Sequence, residues 1–443
     1  MRFEDLAGRR VVIWGAGREG RAALTELAER GVEATIAVTG AAEVPGDLAD
    51  VAVAGEDAVV RLTGAEVVVK SPGVPHTDPV FARLSALGVS VTSLTDLWLN
   101  ANADRVIGVT GTKGKSTTSA LIHHLLNGTG TSAVLVGNGG TPVSTGDRSG
   151  SAVAVAEVSS YQAADLSASP RLAVVASLFP EHLPWHGGYD AYVHDKLNLV
   201  AHRPDVVVVP DLTGEIARLV QARVAGTTRV VCPATVGIEV TDTALTWAGV
   251  GVVAERELPL RGRHNLVNLA LALTAAASWT RAGPADRVRL LDQARTFPPL
   301  AHRLEQVASA DSRAWVDDSL ATAPEAVVAA LETYESDRVV LIAGGADRGL
   351  SFAPLIDYLE QRRTPVTVLA IGPAGARLAS EAADRVEHLR VVAGFAAAIE
   401  AIQADPSASD VVLLSPGAPS FDEFTSYEER SAAFRAAASG TSG

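Results

Sequence analysis

Val106-Ile-Gly-Val-Thr110-Gly111-Thr112-Lys113-Gly114-Lys115-Ser116-Thr117-Thr118 reads as a strand, a glycine-rich loop and the start of a helix. Backbone N–H groups in such a loop wrap phosphate oxygens, and the helix N-terminus adds its own unpaired donors. Lys115 is placed to pair with outer phosphates, and the Ser116 hydroxyl to reach Mg²⁺. Gly111, Thr112, Lys113, Gly114 and Thr117 complete the cradle. The usual loop has a glycine five positions before Gly114. Val109 stands there and Gly108 comes one residue too early, so this loop is a variant with its own spacing.

Outward from the loop, short β-branched runs alternate with Ala/Leu-rich segments of helical period. Val11–Trp14, Val67–Val69, Val153–Val155, Val206–Val209, Val339–Ile342, Val366–Ile371 and Val411–Leu414 are continuous apolar runs. Parallel strands covered on both faces read this way. The pattern predicts an α/β protein of three domains: an N-terminal Rossmann-like domain, a central P-loop ATPase-like parallel sheet and a C-terminal Rossmann-like domain. Polar residues near 95–105 and the Thr-Phe-Pro-Pro-Leu-Ala-His-Arg segment near 296–303 mark the breaks, giving domains 1–98, 99–298 and 299–443. The small, polar tail Ala436–Gly443 is expected to fray.

Charge and composition narrow the function classes. Of 443 residues 47% are hydrophobic and 20% charged, an ordinary globular balance, and the net charge is -14. That field argues against nucleic-acid partners. The one cysteine, Cys232, forms no internal disulfide and no Cys-rich zinc site, which fits a reducing compartment. The N-terminus lacks a signal-peptide apolar core, and Leu266–Trp279 is too short to span a bilayer. A cytoplasmic monomer without membrane insertion is the expectation.

A second glycine cluster, Gly15-Ala-Gly17-Arg-Glu-Gly20, follows the first strand and lets backbone approach a diphosphate. The acid that binds a ribose about 20 residues on is missing, since that region reads Thr35-Ile-Ala-Val-Thr39. An NAD-dependent dehydrogenase is therefore poorly supported. Glu157 closes the strand at Val153–Ala156, where a carboxylate beside a phosphate loop is well placed to ligate Mg²⁺.

Gly111-Thr-Lys-Gly-Lys-Ser-Thr-Thr118 resembles the ATP-binding signature of the Mur ligase family, and further segments match it in order. Glu157-Val-Ser159-Ser-Tyr-Gln162 is similar to Glu-x-Ser-Ser-Phe/Tyr-Gln, which sets Ser159 beside the substrate. Glu181-His182-Leu-Pro-Trp185-His186-Gly187 is similar to Asp-His-Leu-Asp-Trp-His-Gly, with Pro184 in place of an aspartate. The resemblance implies that His182 helps hold a second metal and that His186 is structural. Tyr192-Val-His-Asp-Lys196 matches Tyr-x-x-x-Lys, whose lysine is often carbamylated in the family. Gly262-Arg-His264-Asn265-Leu-Val-Asn268 implies an adenine contact at Asn268, whose amide offers both donor and acceptor. His302-Arg303-Leu-Glu305 implies an arginine on ATP phosphate, and Asp317-Asp318-Ser319 an ATP or ribose contact at Asp318.

Gly344-Gly-Ala-Asp-Arg348-Gly349 and Leu414-Ser-Pro-Gly-Ala-Pro-Ser420-Phe-Asp422 resemble the glutamate-adding, MurD-type branch. Arg348 and Ser420 would grip glutamate. Ser71-Pro72-Gly73 and Thr95 stand where the family binds UDP, and Asn138 where it contacts the muramoyl sugar. Gly15 and Gly17 join that substrate set. The resemblance thus implies glutamate addition to UDP-N-acetylmuramoyl-L-alanine with ATP and Mg²⁺, through an acyl phosphate. Lys115, Glu157, His182, Lys196 and Arg303 are its catalytic candidates. D-glutamate is expected first. Leu320 stands where a lysine is common and Arg348 where lysine is usual, so L-glutamate stays open. A folylpolyglutamate-synthase-like ligase and a catalytically silent regulatory paralogue are the alternatives.

Overall fold

The computed structural model describes residues 1–40, 44, 46–137, 142–143, 150, 152–258, 262–298 and 300–440. Three parallel or mostly parallel sheets account for the continuous apolar runs. The first contains β1 (Val11–Trp14), β2 (Ala34–Val38), β3 (Ala52–Ala54), β4 (Val67–Lys70) and β5 (Ser90–Thr92), in the order β3-β2-β1-β4-β5. The second contains β6 (Val106–Thr110), β7 (Ala133–Gly137), β8 (Val153–Glu157), β9 (Leu172–Val175), β10 (Val206–Val208) and β11 (Arg229–Val231), ordered β11-β10-β9-β6-β8-β7.

Every residue of β1, β4, β6 and β9 is buried, so these strands carry no polar-facing alternation. Burying one such Val or Ile side chain contributes about 1.5–3 kcal/mol. A small antiparallel sheet of β12 (Ile238–Val240), β13 (Ala244–Trp247) and β14 (Gly251–Ala254) follows. The third large sheet contains β15 (Glu305–Val307), β16 (Ala314–Asp317), β17 (Val339–Gly344), β18 (Val366–Ile371), β19 (Leu389–Val391) and β20 (Val411–Leu414). Its order is β15-β16-β20-β17-β18-β19, with only β15 antiparallel to its neighbour.

In each large sheet the chain reverses direction of travel beside a central strand. That leaves a crevice at the strand C-termini, the usual ligand position in open α/β sheets. The crevices lie beyond β1 and β4, beyond β6 with β8 and β9, and beyond β17 and β20.

The chain divides into two compact units, Met1–Ala254 with Asn265–Phe297, and Glu255–His264 with Pro298–Gly443. The first two large sheets share one unit. Helix Leu94–Asn102 and the 3-10 turn Ala103–Arg105 connect them, so Asn100 and Asn102 of the polar stretch lie in a helix whose Leu94, Leu97 and Trp98 are buried. Of the tail expected to fray, residues 441–443 lie outside the described residues. Helix Tyr427–Ser439 runs through Ala436, because alanines favour helix and Phe434 and Ala438 bury against the sheet.

Candidate functional site

Register sets the central site. Val109 of β6 pairs with Glu157 of β8, so a carboxylate only 4% exposed lies beside the strand end that opens into the loop. Gly114 adopts φ +80°, and a Cβ there would lie 2.5 Å from Asn268 Oδ1. Only glycine allows that approach. Helix Lys115–Gly128 begins at once, with Gly114 as its N-cap.

Side chains lace the loop to its surroundings. Thr112 is buried; its Oγ1 donates to the Phe179 carbonyl at 3.1 Å, accepts from Phe179 N at 2.9 Å and meets Tyr192 OH at 2.6 Å. Lys113 N donates to Ser177 Oγ at 2.8 Å, and its Nζ to Glu181 Oε1 at 2.9 Å. Lys115 Nζ donates to the Gly111 and Thr112 carbonyls at 2.8 and 2.9 Å. Lys196 Nζ, from helix Tyr189–Leu197, reaches the same Gly111 carbonyl at 2.9 Å. Two lysine side chains therefore converge on one carbonyl. Ser116 and Thr117 follow on the first helical turn, Thr117 buried and Ser116 half-buried.

Burial, then the positive charge of Lys115, holds the Lys196 amine well below its ordinary range. Burial also pulls the His182 imidazole down, against the opposing pull of Glu181. For Glu181 itself burial is outweighed by Lys113, so its carboxyl falls below the usual value. His182 takes a left-handed conformation at φ 57° and caps helix Leu183–His186. Its ring centroid is 4.9 Å from Tyr161. His186 is held by Asp195 at 2.7 Å and Ser160 at 3.0 Å. Ser159 caps Ser160–Ala163 in a reciprocal pair with Gln162. Asn268 turns toward the loop, with Nδ2 on Asn265 Oδ1 at 3.1 Å and Oδ1 accepting from Thr118 at 3.4 Å.

At the first sheet, Gly15 takes φ +110° and a Cβ on Gly20 would lie 2.0 Å from the Gly15 carbonyl. Gly17 caps helix Arg18–Glu29. Ser71, after β4, donates to the Gly15 carbonyl at 3.3 Å, and Pro72 and Gly73 continue that turn. Thr95 is buried and donates to Glu19 Oε2 at 3.5 Å, while Gln162 donates to Glu19 Oε1 at 2.5 Å. Burial raises the Glu19 carboxyl despite these bonds. Asn138 lies outside the described residues.

In the other unit, Asp318 is buried and accepts from Ser415 Oγ at 2.7 Å. Burial pushes it up to about 7, with Ser415 and then Arg303 pulling the other way. For Asp317 burial is overcome by bonds from Ser319, Ser431 and His302, leaving it low. His302, Glu305 and Asp317 cluster closely enough to suggest a metal, but Arg435 already bridges the two carboxylates. Ser420 is buried just after β20, whereas Arg348 is exposed after β17.

Lys70, Asp165, Glu19 and Arg430 stand out structurally and were given no role from the sequence. Arg430 is 1% exposed; its Nη2 donates to the Ser319 and Ala418 carbonyls at 3.1 and 3.2 Å. Burial lowers its guanidinium to about 10. A lysine ending an apolar strand was the one available signal for Lys70.

A parallel sheet that feeds a lysine-bearing glycine loop into a helix, with an acid closing the adjacent strand, defines a nucleotide-binding α/β protein. Residues 109–276 match the Mur ligase middle domain and residues 302–417 the Mur ligase glutamate ligase domain. A UDP-N-acetylmuramoyl-L-alanine--L-glutamate ligase of Micromonospora sp. is 43% identical, covering 100% of this chain and 99% of the relative. The enzyme of that name from Salinispora tropica is 42% identical, with 100% of each covered. MurC from Thermotoga maritima and MurF from Acinetobacter baumannii share the fold at TM-score 0.59 and 17% identity; 96% of this chain is covered, with 98% and 90% of theirs. The chain belongs to the Mur ligase family and is an ATP-dependent, amide-bond-forming ligase.

Proposed function

We propose that the chain joins L-glutamate to UDP-N-acetylmuramoyl-L-alanine in peptidoglycan precursor synthesis. The carrying observation is the convergence of Lys115 and Lys196 on the Gly111 carbonyl, beside Glu157. The names of the full-length relatives favour L- over D-glutamate. D-glutamate, put first by sequence, is the second reading, since Ser420 lies on a segment of MurD type.

The acceptor carboxylate attacks the γ-phosphorus of ATP; the bond to the β–γ bridging oxygen breaks, giving an acyl phosphate and ADP. Glutamate's amine nitrogen then attacks the acyl carbon, loses a proton, and expels phosphate. Lys115 neutralises charge on the transferring group, and Arg303 is proposed to contribute positive charge to the same group. The loop at Gly111–Thr117 cradles phosphate, with Asn268 at the adenine end and Asp318 an ATP contact.

Oxygen donors from Ser116 and Glu157 suit a hard divalent cation, and His182, whose imidazole burial pulls down, offers a ring nitrogen. Magnesium bound there supplies charge neutralisation. Burial favours the neutral form of the Lys196 amine, the form that reacts with carbon dioxide, which would add to Nζ with loss of a proton and leave a carbamate anion. Gly15, Gly17, Ser71, Pro72, Gly73, Thr95, Asn138 and Ser159 form the proposed UDP-muramoyl side, and Arg348 and Ser420 the glutamate side. Domains 1–98, 99–298 and 299–443 would hold the acceptor, ATP and the amino acid. No helix among the described residues is long and apolar enough to cross a membrane. Buried, unpaired Cys232 fits the reducing cytoplasm, where we place the protein as a monomer.

Phosphate release with ATP, Mg²⁺ and UDP-N-acetylmuramoyl-L-alanine, with each glutamate enantiomer in turn, tests this. Turnover with L-glutamate alone is expected. Turnover with D-glutamate alone reverses the stereochemical choice, and none with either, in protein that binds ATP, removes the proposal.

A further inference from the structure

Lys70 ends β4, and the packing that buries Val67–Val69 buries it too: its side chain is 0% exposed. An ammonium group there carries a desolvation cost of about several kcal/mol unless it is paired. Asp165, two residues beyond helix Ser160–Ala163 of the central sheet, supplies the counter-charge at 2.9 Å and is itself 5% exposed. The other oxygen of that carboxylate meets His76 Nε2 at 2.7 Å. The Lys70–Asp165 contact is an ion pair without hydrogen-bond alignment, and Lys70 Nζ donates to the Val74 carbonyl at 2.8 Å. One central-sheet carboxylate thus holds both sides of the Ser71–His76 turn.

A second contact secures the middle of that turn. Trp185 donates its indole N–H to the Gly73 carbonyl at 3.3 Å, and Lys70 Nζ lies 5.4 Å from its ring. Trp185 belongs to the helix that His182 caps, and Asp165 follows the helix that Ser159 caps. The turn takes its place from the same two segments that carry the proposed metal and acceptor residues. Cohesion alone explains this arrangement poorly, because apolar replacements for a buried ion pair are often neutral or stabilising. A carboxylate with two cationic or hydrogen-bonding partners adds fixed register between the turn and the central sheet.

We propose that Asp165 is a positioning residue that acts through Lys70 and His76 to set the Ser71–His76 turn, and with it the UDP-linked acceptor, against the phosphate-transfer centre. This rests on the ligase reading above for the identity of the acceptor. The double variant Lys70→Met/Asp165→Leu removes both members of the buried ion pair together, so neither is left without its partner; Asp165→Asn and Trp185→Phe weaken the hold in smaller steps.

In the double variant the KM for UDP-N-acetylmuramoyl-L-alanine should rise roughly tenfold or more, because a misplaced substrate loop acts at a distance on a reaction that needs close alignment. The KM for ATP should stay within about twofold, with the thermal midpoint near wild type. Amide hydrogen exchange at 71–76 should quicken while β4 stays protected. Unchanged acceptor KM in the folded double variant overturns the proposal, as does an equal loss in every kinetic constant with a lowered midpoint. Inactive wild-type protein would count against the ligase reading instead, and unchanged exchange at 71–76 would then still overturn this one.

Discussion

Two strand–glycine–helix turns in one unit share a backbone plan and differ in charge. After β1, Gly15 takes φ +110° and the helix opens with Arg18 and Glu19, whose carboxyl is buried and bonded to Gln162. After β6, Gly114 takes φ +80° and the helix opens with Lys115, while Lys113 and Lys196 close in. Helix N-termini favour anions in both places. The second sets Lys115 as its first helical residue, whereas the first sets Arg18 beside the acidic Glu19. Glycine spacing therefore fixes the path of the chain, and the flanking charges decide what it can bind.

Removing the charge that separates the turns gives the largest effect. Lys115→Ala should lower kcat by about 10²–10³-fold, the scale of losing one donor to developing charge, with phosphate release as the readout. A small effect would erase the distinction.

Lys196→Arg, which keeps a cation but cannot form the carbamate, should lose about 10²-fold in activity. In wild type, activity and bicarbonate dependence should rise with pH through the depressed amine value, because the neutral amine is the reactive form. A flat response sinks the carbamate role. Gly114→Ala meets Asn268 and a left-handed backbone, and should weaken ADP binding by about tenfold through roughly 1–3 kcal/mol of strain.

The smallest change belongs to the first turn. Glu19→Gln keeps an acceptor for Gln162, so unfolding free energy should differ by about 1 kcal/mol or less near neutral pH. Glu19's raised folded value makes its contribution fullest below the unfolded carboxyl value and lost as pH rises through the folded one. The variant should therefore gain on wild type in urea unfolding as pH increases over that window. A loss instead would show that the ionised Glu19 is stabilising.

Both turns were legible in sequence because glycine clusters after apolar strands leave a local signature. The buried strands were legible for the same reason, each being a continuous run such as Val106–Thr110. Strand β12 was not: Ile238–Val240 has one buried residue in three and no periodic signal. The Lys70–Asp165 pair was invisible because its partners are far apart in the chain and each looks ordinary locally. Asn268 was found through the resemblance of Gly262–Asn268 to a family motif. Its hold on Gly114 needed the packed structure.

That contact has a consequence for synthesis. Asn268 lies in the segment Asn265–Phe297, which rejoins the first unit after the chain has entered the second. Gln293 of the same segment packs against Gly128 at the far end of the loop's helix. A nascent chain leaving the ribosome displays the glycine loop well before its cover exists. Nucleotide cannot guide the early steps of folding from a finished cradle, and a product truncated at Ala254 would retain the loop's sequence without the residues that close it.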